Sequence, residues 1–372
     1  MSKQTTALET LLVHAGREPE ADGAVGSALS PSTTYVRDAG PHVYSRYSNP
    51  TRDRFEAAIA AIEGARQSFA FASGMAAASA VFNLLKPGDH LLLGEDCYHG
   101  VRRYLQDELL PKGIEFSLVD TTDIGSLAAA VRPTTRMIWF ETPSNPQLRV
   151  TDLGALAAWA GDHELITVCD STLAPPIIQR PLARGIDISM HSATKFIGGH
   201  SDLLAGVVSC HDEELAEAIG RWQGNAGAVP SAFDCWLLLR SLSTLSVRVR
   251  QQCDSALRVA SWLAGHPEVE KVFYPGLAGA EGHEVAATQM VGFGGLLSFC
   301  LRGDEERARK LAQRTRLFIE ATSLGGVESL IEHRASIEGE HRRSPDNLLR
   351  LSIGLEHVDD LLADLEAAIA SL

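Results

Sequence analysis

"TRMIWFETPSNPQLRVTDLGALAAWAGDHELITVCDSTLAPPIIQRPLARGIDISMHSATK", residues 135–195, decides the fold. Its apolar runs, in "TRMIWFET", "LITVCDST" and "DISMHSAT", are short and bounded by turn residues, so they read as strands. "LGALAAWAGD" between the first two reads as a helix. The same alternation extends upstream. "SFAFAS" precedes "GMAAASAVFNLL", "DHLLLGED" precedes "GVRRYLQDELLP", and "IEFSLVD" precedes "IGSLAAAV". Strands alternating with helices imply an α/β architecture, with a mostly parallel sheet covered on both faces.

Further out, "NPTRDRFEAAIAAIEG" is a helix with both ends signed. Asn49 suits the cap, Pro50 the first helical position and Gly64 the stop. Residues 1–48 are rich in Ser, Thr, Pro and Gly, with little periodicity, and read as an arm or an irregular lead-in. A single long helix is expected from after Pro230 to near Gly265. Beyond it "GGLLSFCL" and "NLLRLSIGL" are strand candidates, and "VDDLLADLEAAI" has helical spacing. The expected organisation is an arm (1–48), an α/β domain (49–245) and a smaller C-terminal α+β domain (246–372).

The chain has 372 residues, 45% of them hydrophobic and 22% charged, enough for two domains with cores of their own. Its net charge of −14 argues against a nucleic-acid partner, which needs a basic surface to displace counterions. Cysteines 97, 169, 210, 235, 253 and 300 form no CxxC pair, so neither a disulfide frame nor a zinc site is expected. "MSKQTTALET" has no apolar signal core, and no run of eighteen apolar residues occurs, so the expectation is a cytoplasmic protein without membrane contact.

In open parallel sheets, ligands bind at the carboxyl ends of strands, so the residues after each apolar run are the candidates. Ser73 and Gly74 stand at a helix start, where free N–H groups favour an anion such as phosphate. Asn145 stands in the turn "TPSNP", Asp170 directly after "LITVC", and His191, Ser192, Thr194 and Lys195 after "DISM". Each also has an ordinary structural reading: a Ser cap, an Asn-Pro turn, an Asp cap and a solvated lysine. Together they suit one ligand, a phosphorylated heteroaromatic aldehyde. The lysine forms a Schiff base, the carboxylate pairs with the ring nitrogen, and the helix start holds the phosphate, as for pyridoxal 5'-phosphate. Neither GxGxxG after a first strand nor GxxxxGK[ST] is present to compete for a phosphate. A Schiff-base aldolase would use Lys195 but leave Asp170 and the phosphate cradle without a task.

The motifs "YSRYSNPT", "SGM", "ETPSNP", "HSATK", "GGHSD", "SLGGVESL" and "LLRLSIGLE" occur in this order from about Ser32 to the C-terminus. The chain thereby resembles the cystathionine γ-synthase-like pyridoxal-phosphate enzymes of cysteine and methionine metabolism. The resemblance implies the type I pyridoxal-phosphate transferase fold. It also implies Lys195 as Schiff-base lysine and proton carrier, and Asp170 under the pyridine nitrogen. Ser73, Gly74, Met75, Ser192 and Thr194 would hold the phosphate. Tyr98 would stack on the ring and help move a proton, while Tyr44 and Arg46 would reach the phosphate of a neighbouring subunit. That sharing implies an obligate oligomer, typically a homotetramer of two catalytic dimers. Arg350 would clamp the substrate carboxylate with Asn145 and Ser323 nearby, and Glu328 would recognise a distal amino group of a cystathionine-like substrate. No cysteine stands at a position the family uses, and His191 would pack near the cofactor. Without the resemblance, Tyr98 reads first as a core aromatic and Arg350 as a surface arginine on an edge strand.

Two departures from the family bear on specificity. His99 replaces the usual Gly after the stacking Tyr, pointing either into the substrate pocket or to solvent. After "SLGGVESLIEH", the stretch "RASIEGEHRRSPDNLLR" is shortened and lacks a Met-Thr-His motif. The implied activity is carbon–sulfur lysis, with cystathionine γ-lyase first, γ-synthase on an acylated homoserine plus cysteine second, and β-elimination on the same groups. A catalytically silent binding protein on the same fold is the alternative of another class.

Overall fold

The computed structural model describes residues 6–17, 20, 22–338 and 344–372. Seven strands form the larger sheet: β1 Gln67–Phe71, β2 His90–Gly94, β3 Glu115–Val119, β4 Thr135–Glu141, β5 Ile166–Asp170, β6 Ile188–His191 and β7 Gly206–Cys210. Their order across the sheet is β1-β7-β6-β5-β4-β2-β3. The run from β3 to β6 is parallel, and only β7 opposes its neighbours. β2 and β7 are buried along their whole length, as expected of strands covered by helices on both faces.

Helices Gly74–Phe82, His99–Tyr104, Ile124–Ala130 and Leu153–Asp162 follow β1, β2, β3 and β4. Between β5 and β6 no α-helix intervenes; the proline-rich link carries only a 3₁₀ turn at Pro181–Arg184. The helix expected over 100–111 is likewise broken. It passes at Leu105 into a π turn and then a 3₁₀ turn around Pro111, whose missing N–H cannot continue the ladder.

Helix Pro50–Glu63 has the signed ends. Asn49 accepts from the Thr51 and Arg52 N–H groups, and Gly64 ends the helix at φ 70°. Its buried face is Phe55, Ala58, Ile59 and Ile62. The first 48 residues are less irregular than expected. Leu8–His14 is a helix whose Leu12 joins the core beside Phe55 and Leu238. The spacing of Leu8, Leu11 and Leu12 is a short amphipathic signal that the surrounding polar sequence masks. Residues 1–5, 18, 19 and 21 of the expected arm lie outside the described residues.

Helix Ala232–Gly265, 34 residues, crosses from one core to the other. Leu238, Leu242, Leu245 and Val249 pack with the larger sheet's core; Ala256, Val259, Ala260 and Leu263 pack with the second. That second core lies on five strands: β8 Val269–Phe273, β9 Leu296–Leu301, β10 Ile319–Glu320, β11 Leu330–His333 and β12 Leu348–Ser352, in the order β10-β11-β12-β9-β8. The C-terminal helix Val358–Ala370 covers it.

One half-buried acid between these elements sets a pH dependence. Glu56 Oε1 accepts from Ala70 N at 2.8 Å and from Gln223 Nε2 at 2.7 Å, with Arg52 Nε 3.5 Å away. Burial nonetheless pushes the carboxyl up to about 7, against the pull of Arg52 and both hydrogen bonds. The folded chain therefore holds a proton there that the unfolded chain releases near pH 4.5. The stability it contributes is complete below that pH and is lost as pH rises through about 7. Between pH 5 and 8, wild type is expected to lose roughly 1–3 kcal/mol relative to Glu56→Gln. Urea unfolding across that range measures it, and parallel pH profiles for the two proteins would remove Glu56 as the source.

Candidate active site

The parallel register brings the chemistry-bearing residues together. Glu141 and Asp170 are register partners at the carboxyl ends of β4 and β5, and Asp170 pairs with Met190 of β6. The turns that follow carry Asn145 and Lys195. Both proline bonds of the first, Thr142–Pro143 and Asn145–Pro146, are cis. Ser298 Oγ of β9 donates to Pro146 O at 2.8 Å, which ties this turn to the smaller sheet. Between the sheets lies a cavity of about 410 Å³. Ser73, Gly74, Met75, Tyr98, Asn145, Asp170, Ser192, Thr194, Lys195, Ser323 and Arg350, all read from the sequence, line it.

Ser73 caps helix Gly74–Phe82, its Oγ accepting from Ala76 N at 3.1 Å. The Gly74 and Met75 N–H groups ahead of it have no partner inside the helix. A Cβ on Gly74 would come within 2.8 Å of Ser192 Oγ, and one on Gly206 within 2.3 Å of the Ser73 carbonyl. Only glycine permits this close approach of helix start and strand, which keeps a backbone cradle at the cavity wall. Thr194 is already engaged, donating to Ala205 O at 3.1 Å and accepting from Ala205 N at 3.0 Å. Its single O–H must leave Ala205 to serve a phosphate.

Asp170 is 6% exposed, and its Oδ1 accepts from Thr172 N at 3.0 Å and Thr172 Oγ1 at 2.5 Å. Burial raises its carboxyl above the usual range; the Thr172 bonds and the charge of His191 oppose the rise. Glu141, unread from the sequence, is pushed well above its range by burial and then by Asp170. Its Oε2 accepts from Tyr98 N at 2.9 Å, fixing the chain where the Tyr98 ring begins. Lys195 Nζ donates to Ser323 Oγ at 2.9 Å. Burial, then the charge of Arg350, hold its ammonium below the ordinary range, with Glu332 opposing. Ser323 adopts φ 95°, a left-handed conformation that serine rarely takes. There its hydroxyl meets Lys195, and its carbonyl accepts from Arg350 Nη2 at 2.9 Å.

Four residues read from the sequence lie outside the cavity lining. His191 does not line the cavity; it meets Glu63 on the sheet's other face, both side chains buried. Glu328 accepts from Ser201 and lies in an adjoining open groove, which shares Lys195, Thr194 and Ser323 with the cavity. Tyr44 and Arg46 do not line their own chain's cavity. Arg46 donates to Gly224 O at 2.5 Å and lies 4.3 Å from the Tyr47 ring centroid. His99 does line the cavity, and its Nδ1 is buried without a hydrogen-bond partner among the described residues. Glu332 and Arg334, also lining residues, escaped the sequence reading because only strand register discloses them. All six cysteines are free thiols, and no group of His, Cys, Asp and Glu among the described residues could hold a metal ion.

A half-buried lysine, a carboxyl one strand away, a helix start kept open by glycine and a cavity between two sheets fit pyridoxal phosphate and define a pyridoxal-phosphate enzyme. Comparison with known proteins narrows the class. Residues 9–370 match the family model described as Cys/Met metabolism PLP-dependent enzyme, and the chain belongs to that family. Cystathionine gamma-synthase of Mycobacterium tuberculosis is 43% identical over 97% of this chain and 96% of its own. Cystathionine beta-lyase MetC of Bacillus subtilis is 42% identical, covering 100% and 98%. Among solved structures, metB from Corynebacterium glutamicum superimposes with TM-score 0.96 at 42% identity, covering 99% and 98% of the two chains. Cystathionine gamma-lyase from Lactobacillus plantarum, complexed with L-serine, gives 0.94 at 38%, covering 98% and 99%. The protein is thus a trans-sulfuration enzyme that uses pyridoxal 5'-phosphate on carbon–sulfur bonds. No helix among the described residues is long and apolar enough to cross a membrane.

Proposed function

We propose that this enzyme is a cystathionine γ-lyase, cleaving the γ carbon–sulfur bond to give cysteine, 2-oxobutanoate and ammonia. One observation supports this above the rest. Lys195 and Ser323 line both the cavity and the adjoining groove that holds Glu328. An amino acid with its carboxylate at Arg350 and its amine at Lys195 extends toward that groove. A distal ammonium there meets a carboxylate.

Bound in the cavity, pyridoxal phosphate supplies an aldehyde for amines and a ring that takes up an electron pair. Gly74 and Met75 N–H groups, with Ser73, Ser192 and Thr194, hold the phosphate. Asp170 keeps a proton on the ring nitrogen. Lys195 Nζ, whose proton is loosened by burial and by Arg350, is placed to take protons from the substrate α- and β-carbons in turn, the second leaving the electron pair that expels the γ-sulfur, and to return a proton to the γ-carbon. Tyr98 covers the ring and donates toward the leaving sulfur. Asn145, Ser323 and Arg350 fix the carboxylate plane, which aligns the α-proton with Nζ. Tyr44 and Arg46, both outside their own cavity, complete the phosphate site of a neighbouring subunit in a homotetramer.

The likeness to mycobacterial γ-synthases favours a second reading, γ-replacement of an acylated homoserine by cysteine. A product assay separates the readings. Cystathionine yielding 2-oxobutanoate, ammonia and cysteine means γ-lyase, and pyruvate with homocysteine means β-lyase. Cystathionine accumulating from acylated homoserine plus cysteine means synthase. No turnover of any of these would leave only the silent-protein reading.

A further inference from the structure

Arg334 has no role in the account so far, yet it stands in the cavity wall. Glu332 and Arg350 are cross-strand partners on β11 and β12, and Arg334 follows two residues after Glu332. Glu332 Oε2 accepts from Arg350 Nη2 at 2.8 Å and from Arg334 Nη1 at 2.7 Å. The exposures of Glu332, Arg334 and Arg350 are 3%, 4% and 4%. Arg350 also donates through Nη1 to Asn145 Oδ1 at 3.1 Å. Glu338 is more distant, its Oε1 being 3.7 Å from Arg334 Nη2, and its carboxylate accepts from Ser344 N at 2.9 Å and Ser344 Oγ at 2.5 Å. Glu332 Oε1 and Arg334 Nε are buried without hydrogen-bond partners among the described residues.

The charge balance of this wall decides what it can bind. One arginine facing one glutamate is a closed neutral pair. An incoming carboxylate would be attracted by Arg350 and repelled by Glu332 at similar range, with little water to screen either. Two guanidinium groups sharing one carboxylate leave the triad with one net positive charge, which Glu338, 3.7 Å from Arg334, offsets at longer range than Glu332. Burial holds Arg350 down to about 10, with Glu332 raising it and Arg334 lowering it, the signs expected for this arrangement. Around Lys195 the charges of Arg350 and Glu332 already oppose each other.

We propose that Arg334 is a positioning residue that neutralises Glu332, so that Arg350 keeps an attractive field for the substrate carboxylate. This rests on the reading above that Arg350 holds that carboxylate. Arg334 touches Glu332, and the effect reaches the substrate through Arg350.

The test uses the holoenzyme and two small amines, followed by the absorbance change of the cofactor. Glycine carries the carboxylate; methylamine does not. Arg334→Met is expected to weaken glycine binding by about 10- to 100-fold and leave methylamine within about twofold. KM for cystathionine rises in step, while kcat stays within about threefold. Adding Glu332→Gln to Arg334→Met is expected to restore glycine binding to within about threefold of wild type, because the opposing charge is gone. Arg334→Lys, which keeps the charge, is expected to stay within about threefold of wild type and serves if the Met variant does not fold. Unchanged glycine binding in Arg334→Met overturns the proposal. Equal weakening of methylamine, failure of the second substitution to restore binding, or a Lys variant as weak as Met does the same, because each marks a packing role. A wild-type holoenzyme with no saturable response to glycine but a normal one to methylamine brings down the Arg350 reading together with this one.

Discussion

Lys195→Ala is expected to lower kcat/KM for the carbon–sulfur substrate by at least about a thousandfold. The amine is held by Ser323 in the cavity, and burial with the charge of Arg350 makes its proton labile. Among the described residues no other lysine lines that cavity, so no neighbour there takes over bond formation or proton transfer. Steady-state turnover measures the loss. Borohydride reduction followed by peptide mapping checks its origin, since the wild-type label stays on the peptide containing residue 195 and the variant carries none. Residual turnover above a few per cent, or a label elsewhere in the chain, contradicts the assignment.

Asp170→Asn is expected to separate activity from stability. Turnover should fall roughly a hundred- to a thousandfold, the usual scale for removing one preorganised electrostatic contact. The cofactor-free chain should not be weakened. Burial raises the Asp170 carboxyl above its usual range despite the Thr172 bonds and His191, so its ionised form costs folding energy until a cationic ring nitrogen arrives. Asparagine removes that charge, and its amide oxygen still accepts from Thr172 N. The sign in pH follows. The stability that protonated Asp170 contributes to the cofactor-free wild type is lost as pH rises through the raised value, whereas the Asn variant shows no such loss. Turnover assays and urea midpoints of the cofactor-free proteins test both halves. An Asn variant with wild-type turnover removes Asp170 from the chemistry, and a lower midpoint at neutral pH contradicts the burial argument.

Much of the site is legible because it is local. Asn49, Pro50 and Gly64 mark helix ends through their own backbone chemistry, and the structure has those ends. Asp170 and Lys195 stand where apolar runs stop, the place a parallel sheet reserves for ligands. Of the two misreadings, one was settled by longer-range packing and the other by local backbone chemistry. Leu8–His14 is helical because Leu12 finds a core, and the segment after Tyr104 departs from α geometry on its way to Pro111.

What the sequence by itself determined was the α/β alternation, the helix ends and the residue types needed for pyridoxal-phosphate chemistry, because each depends on neighbours a few positions apart. Only the tertiary structure decided that Glu141 carries its carboxyl beside Asp170, that His191 faces Glu63 away from the cavity, and that Glu332 lies between two guanidinium groups. Those facts come from strand order and register, which bring residues far apart in the chain into contact. Whether a buried charge there is balanced or opposed depends on distances that no reading along one dimension contains.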